Sequence, residues 1–204
     1  MSASRRRLVA AAALLAAPAV WRGAIAQGRL VPTPAQTEGP FYPVALPADS
    51  DADLLVQGSR RYGRGQPAWL AGTLSDVDGR AVAGAQVEIW QCDQDGHYHH
   101  PGDGGRADPA FQGFGRVTVG SDGRYRFRTI RPAPYGGRTP HIHLKVKLGP
   151  QELLTTQVYA QGDPGNARDF LWRRLDERGR AALTVPFVPG ADGLQANFAI
   201  VVPV

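Results

Sequence analysis

His141-Ile142-His143 is the stretch of this chain best placed to do chemistry. Alternate residues of a β-strand point to the same face, so a His-x-His pair projects two imidazoles side by side, as two ligands of one metal ion. The chain has five histidines, and the other three crowd around a tyrosine in Gly96-His97-Tyr98-His99-His100. A second tyrosine, Tyr135, closes Arg131-Pro132-Ala133-Pro134-Tyr135 just ahead of the pair. The competing reading of His-x-His is polar decoration on a half-buried strand, and the nearby tyrosines weigh against it.

The residue types narrow the metal. Cys92 is the only cysteine, so thiolate and iron-sulfur sites are excluded. A cupin would need a glutamate where Lys147 stands and a further histidine downstream, and none follows His143. No carboxylate adjoins His141 to build a two-histidine, one-carboxylate ferrous site. A phenol ionises near pH 10, and a trivalent ion supplies the extra charge that holds it deprotonated at neutral pH. Two imidazoles with two phenolates therefore favour Fe3+.

The elements that must position these residues read as all-β. Short β-type runs alternate with turn signals at the spacing of a β-sandwich, with long loops and one short helix. Strands are expected at 69–74, 85–91, 116–119, 124–129, 141–148, 154–159, 182–185 and 196–202. Asp-Gly pairs at 78–79, 95–96 and 122–123 supply tight turns. The single helix is expected from Asn166, as its cap, to about Glu177. Residues 27–67, rich in proline and glycine, read as an extended N-terminal arm laid over a 68–204 sandwich domain.

Residues 1–26 read as a signal peptide: basic Arg5-Arg6-Arg7, an apolar run from Ala10 to Val20, then Ala24-Ile25-Ala26, with cleavage expected after Ala26. The run is too short for a transmembrane helix, so no membrane insertion of the mature chain is expected. The paired arginines favour the twin-arginine route and an exported, periplasmic or secreted protein. Removing the four arginines of the leader takes the formal charge from +5 to +1. No basic stripe then remains, and nucleic-acid binding is not expected. With one cysteine, no internal disulfide can form.

The chain strongly resembles the intradiol ring-cleavage dioxygenases, in particular protocatechuate 3,4-dioxygenase-like (beta-subunit-like) chains. The resemblance runs from about Thr33 to Val202. It is carried by Thr37-Glu38-Gly39-Pro40-Phe41, Val87-Glu88-Ile89-Trp90-Gln91, Asp95-Gly96-His97-Tyr98, Phe111 to Arg116 and Asp122 to Pro132. Pro134-Tyr135, Arg138 to His143, Thr156-Gln157-Val158-Tyr159 and Gly162-Asp163-Pro164 complete it.

The resemblance implies Tyr98, Tyr135, His141 and His143 as ligands of Fe(3+), and Tyr135 as the tyrosine that leaves when a catechol chelates. It implies Arg138 as the residue stabilising charge on the substrate ring, and Gln157 as a glutamine near the substrate. The partners it implies are a catechol-type substrate and O2, the product a muconate-type diacid. His97, His99 and His100 have no ligand role in this pattern. The loop between Tyr135 and His141 is shorter than is usual in the family, and Gly137 stands where protocatechuate enzymes carry tryptophan. An open pocket accepting several substituted catechols is expected. The helical N-terminal dimerisation segment of catechol-type relatives is not visible, which makes the protocatechuate-type subfamily the closer resemblance; a homo-oligomer is left as an open expectation. Two rival readings are a non-catalytic sandwich subunit and a divalent-metal hydrolase using His97 or His99 with the His141 pair.

Overall fold

Side-chain alternation sorts the strands into two packed sheets. A computed structural model describes residues 28–204; the leader read in residues 1–26 lies outside the described residues. In chain order the strands are β1 (Val56–Gln57), β2 (Arg60–Arg61), β3 (Pro67–Asp76), β4 (Gln86–Trp90), β5 (Phe114–Thr118) and β6 (Arg124–Ile130). They continue as β7 (His141–Leu148), β8 (Gln151–Ala160), β9 (Thr184–Val185), β10 (Val188–Gly190), β11 (Gly193–Asn197) and β12 (Ile200–Val202). One sheet runs β5-β4-β7-β8-β9. In the other, β3 pairs with β6 on one edge and with both β11 and β12 on the other, and β10 lies outside β11. The short β1–β2 hairpin stands apart.

Val87, Ile89, Ile142, Leu144 and Val146 from one sheet meet Leu70, Leu74 and Phe127 from the other in the main core. The opposite face of β7 carries His141, His143 and Lys145, and these are buried as well. What covers them is the segment before β1. Its backbone bonds to the body at Leu30 (N–H to Val77 O, 2.7 Å), Thr33 (N–H to Val201 O, 2.9 Å) and Gln36 (N–H to Thr155 O, 2.9 Å). The Lys145 ammonium pairs with Glu38 of this segment, and Tyr42 donates to the fully buried Glu88 at 2.7 Å.

Three local expectations are corrected. The single helix starting at Asn166 is a 3-10 turn over Asn166–Arg168 followed by two short helices, α1 (Phe170–Arg174) and α2 (Glu177–Leu183). The caps are Asp169, which accepts from the Leu171 and Trp172 N–H groups, and Asp176, which accepts from Gly179 N–H; Asn166 instead spends its side chain on Thr139 and Ala160. The strand read over 182–185 shrinks to β9 because Ala182 and Leu183 finish α2. The strand read over 196–202 is broken between β11 and β12, where the Phe198 carbonyl presses onto Gly72 so closely that a Cβ there would sit 1.9 Å away. Among the described residues no helix is long and apolar enough to cross a membrane.

Candidate metal centre and active site

Register assembles the site. His143 lies opposite Trp90 of β4 and Gln157 of β8, and His141 opposite Tyr159, so all five side chains share the outer face of the sheet. The two tyrosines arrive on loops. After the tight turn at Gly96, with φ of +83°, Tyr98 is brought against Tyr135; a Cβ at Gly96 would lie 2.8 Å from the Pro134 carbonyl. Only glycine fits there.

The four candidate ligands close a ring of neighbours. Ring centroids are 4.7 Å apart for His141–His143, 5.9 Å for His143–Tyr98, 4.9 Å for Tyr98–Tyr135 and 5.4 Å for Tyr135–His141. The Nε2 atoms of the two histidines are 3.2 Å apart. His141 Nδ1 lies 2.6 Å from the Thr139 carbonyl, which can only accept, so the proton sits on Nδ1 and the Nε2 lone pair faces the site. Burial, reinforced by the Arg138 charge, holds the His141 pKa down to about 4; burial and His141 hold that of His143 well below the ordinary value. Both rings are therefore neutral at pH 7, the form that ligates metal.

The tyrosines carry the complementary signal. The Tyr98 hydroxyl is buried with no hydrogen-bond partner. Burial pushes its pKa well above 10, and burial also raises that of Tyr135. Neither phenol would ionise unaided, and a trivalent cation is what could hold both as phenolates. Two neutral imidazoles, an unpartnered buried phenol and a second phenol beside it fit Fe3+. Among the described residues no three His, Cys, Asp or Glu side chains come together as a metal site, as expected if half the donors are tyrosine.

The other three histidines are used locally. His99 Nε2 lies 3.1 Å from the Asp108 carbonyl, His100 Nδ1 accepts from Gly102 N–H at 3.0 Å, and His97 Nδ1 is 3.3 Å from Asp103. None joins the His141 pair, so the geometry for a hydrolase site built on His97 or His99 is absent among the described residues.

Arg138 and Gln157 lie beside the candidate ligands and bond to each other, Arg138 Nη2 donating to Gln157 Oε1 at 2.7 Å. Arg138 Nε donates to Asp169 at 2.7 Å, and Gln157 Nε2 donates to the Thr37 carbonyl at 2.9 Å. Tyr135, Gly136, Gly137 and Arg138 form a tight turn closed by Arg138 N–H to Tyr135 O at 2.7 Å. Its central φ angles are +50° and +80°, the pattern of a type I′ turn, which favours Gly-Gly. This turn is how the short loop joins Tyr135 to Arg138. It borders an open cleft of about 480 Å3, with Arg131 and Arg168 among its other walls.

Sequence reading missed three supports of the site. Trp90 stacks on His143 at 4.8 Å and 10°, Phe41 stacks on Tyr98 at 4.7 Å and 22°, and Asp169 grips Arg138. Strand alternation could have found Trp90, and the preference of aspartate for helix caps could have found Asp169.

Comparison with known proteins places the chain in a family. The dioxygenase family (Dioxygenase_C) matches residues 37–201. Hydroxyquinol 1,2-dioxygenase of Corynebacterium glutamicum is 29% identical over 188 residues, 79% of this chain and 58% of that protein. Catechol 1,2-dioxygenase 1 of Acinetobacter lwoffii is 32% identical over 164 residues, 71% and 51% of the two chains. The chain thus spans about half the length of these curated relatives. Among solved structures, the dioxygenase domain of a dioxygenase carbohydrate-binding protein fusion from Streptomyces sp. SirexAA-E aligns with TM-score 0.66 at 32% identity. That alignment covers 85% of this chain and 99% of that one. Catechol 1,2-dioxygenase from Acinetobacter sp. ADP1 aligns with TM-score 0.66 at 29% identity, covering 84% and 62%. These relatives are named for catechol and hydroxyquinol; the protocatechuate-like subtype stays an expectation about substrate. A β-sandwich carrying this residue set, matched along residues 37–201, belongs to the intradiol dioxygenase family.

Proposed function

We propose that the protein is an Fe3+-dependent intradiol dioxygenase that cleaves catecholic aromatics with O2 to muconate-type diacids. The observation that carries this is the closed set of Tyr98, Tyr135, His141 and His143, with two neutral imidazoles and a buried, unpartnered Tyr98 hydroxyl. Those four residues would hold the iron, which when bound supplies the positive charge that keeps phenolates and catecholate ionised and the covalent link that makes the substrate ring reactive to O2.

The chain's own residues do the rest. Tyr135, half-exposed at the cleft, would as a phenolate be placed to accept a proton that an incoming catechol gives up. Tyr98 is enclosed and stays in place under Phe41. Arg138 offers a fixed positive charge to electron density developing on the ring, and Gln157 holds one of its nitrogens. Trp90 and the segment over the sheet exclude water from His143. The cleft walls at Gly136 and Gly137 carry no side chain, which supports acceptance of several substituted catechols.

Iron-loaded protein supplied with catechol, hydroxyquinol and protocatechuate should consume one O2 per ring and release the muconate-type diacid. An O2-independent hydrolysis, or no consumption with any of the three, would overturn the reading. Export by the twin-arginine route is part of the proposal and rests on Ser4 to Val9. Arg5→Lys/Arg6→Lys should abolish export, and normal export of that variant would point to the general secretion route.

A further inference from the structure

Arg138 is a buried guanidinium, 9% exposed, held by Gln157 and by Asp169, a residue outside the candidate ligand set. Asp169, 1% exposed, sits at the start of α1 and gives its two oxygens different main partners. Oδ1 accepts from the Leu171 and Trp172 N–H groups, each at 3.0 Å, which caps the helix, and more distantly from Arg138 Nη2 at 3.4 Å. Oδ2 accepts from Arg138 Nε at 2.7 Å and from Thr139 N–H at 3.0 Å. The Thr139 carbonyl in turn accepts from His141 Nδ1. One carboxylate thereby fixes the arginine and the backbone residue that orients the first histidine. Phe170, the next residue, lays its ring 5.3 Å from the guanidinium carbon.

We infer that Asp169 is a positioning residue that holds Arg138 in its working orientation, separately from its role as a helix cap; this rests on the ring-cleavage reading for its effect on rate. A guanidinium on its own would have several rotamers and a large desolvation cost in this setting. The short charge-assisted bond to Oδ2 and the bond to Gln157 leave it one. Burial works against a charged Asp169, but the bonds from Arg138, Trp172 and Thr139 keep it ionised, its pKa below the ordinary carboxylate value.

Asp169→Asn separates the two tasks. Asparagine keeps an oxygen for the helix cap, but it places an NH2 group against two donors, Arg138 Nε–H and Thr139 N–H. The variant should keep its iron but melt at a lower temperature, because a buried guanidinium loses its counter-charge, while kcat of the folded enzyme falls by roughly a hundredfold, the scale of an ångström-sized misplacement. In an Arg138→Gln background the same substitution should change kcat by less than about twofold, because the residue it acts through is gone. An equal loss in both backgrounds would overturn the inference.

A second measurement is independent of turnover. In 15N spectra of the metal-free protein, Arg138 Nε–H should exchange slowly with solvent and become fast-exchanging in Asp169→Asn. Fast exchange in the unsubstituted protein would also overturn the inference. If that resonance behaves as expected but no catechol is cleaved, the ring-cleavage reading fails and the Asp169–Arg138 clamp stands.

Discussion

Two groups of histidines in one chain behave as opposites. His141 and His143 lie on an eight-residue strand, enclosed on both faces, with Nε2 atoms 3.2 Å apart and no local backbone duty beyond one bond that fixes a tautomer. His97, His99 and His100 lie in a loop, and each ring faces a carbonyl, a carboxylate or an N–H of that loop. Residue type is the same in both, and three of five are in the loop. What differs is the carrier. A strand fixes alternate side chains to one face and leaves their lone pairs free, whereas loop rings are recruited to hold the loop together. The loop still has a use, since holding its shape places Tyr98.

The largest effect that could break this comparison concerns metal retention. His141→Ala and His143→Ala should each lose iron and all measurable activity, while single alanine variants at 97, 99 and 100 keep most of the metal. Iron content by elemental analysis decides it; loss from the loop variants with retention in His141→Ala would reverse the assignment.

Arg138→Ala should come next. An electrostatic contact made mainly in the transition state contributes about 2.7–4 kcal/mol, so kcat should fall roughly a hundred- to a thousandfold with the visible colour unchanged. Parallel loss of colour would make Arg138 a support of the metal rather than of the substrate.

Acid should sharpen the contrast in the metal-free protein. An unfolded histidine ionises near pH 6.5, and folding holds His141 down to about 4. The unfolded state therefore binds the extra proton first, and stability falls as pH drops from 7 towards 4, by roughly 3 kcal/mol from this group alone. Thermal melts across that range should show the loss, to which His143, also held low, adds its own share, and His141→Gln should reduce the slope by the His141 share. An unchanged slope in that variant would mean the ring is solvated.

Smaller still is the effect at Gly137. Its φ of +80° is left-handed, so Gly137→Trp should cost about 1–2 kcal/mol of stability whatever space is open. A tryptophan wall therefore cannot simply be restored by this one substitution. If Gly137→Trp melts at the wild-type temperature and narrows the substrate range, the turn has another conformation open to it.

The β7 bounds, His141 to Leu148, were legible from alternation. Residue types alone pointed to a metal with imidazole and phenolate ligands; the choice of Tyr98, Tyr135, His141 and His143 among the histidines and tyrosines came from the family resemblance. The remainder depends on partners distant in sequence. β10 and the β1–β2 hairpin are two or three residues long and exist only through pairing. β11 and β12 lie along one edge of β3 because the chain bends over Gly72, where no side chain intervenes. Asn166 and Asp169 are both good caps, and only the fold shows that Thr139 occupies one and Arg138 the other.

Visible spectroscopy tests most directly whether two phenolates and two imidazoles hold a ferric ion, as proposed. Protein loaded with iron should be red-brown from phenolate-to-Fe3+ charge transfer, and Tyr98→Phe should shift or weaken that band. A colourless protein that binds one zinc tightly and takes up no iron would contradict the account.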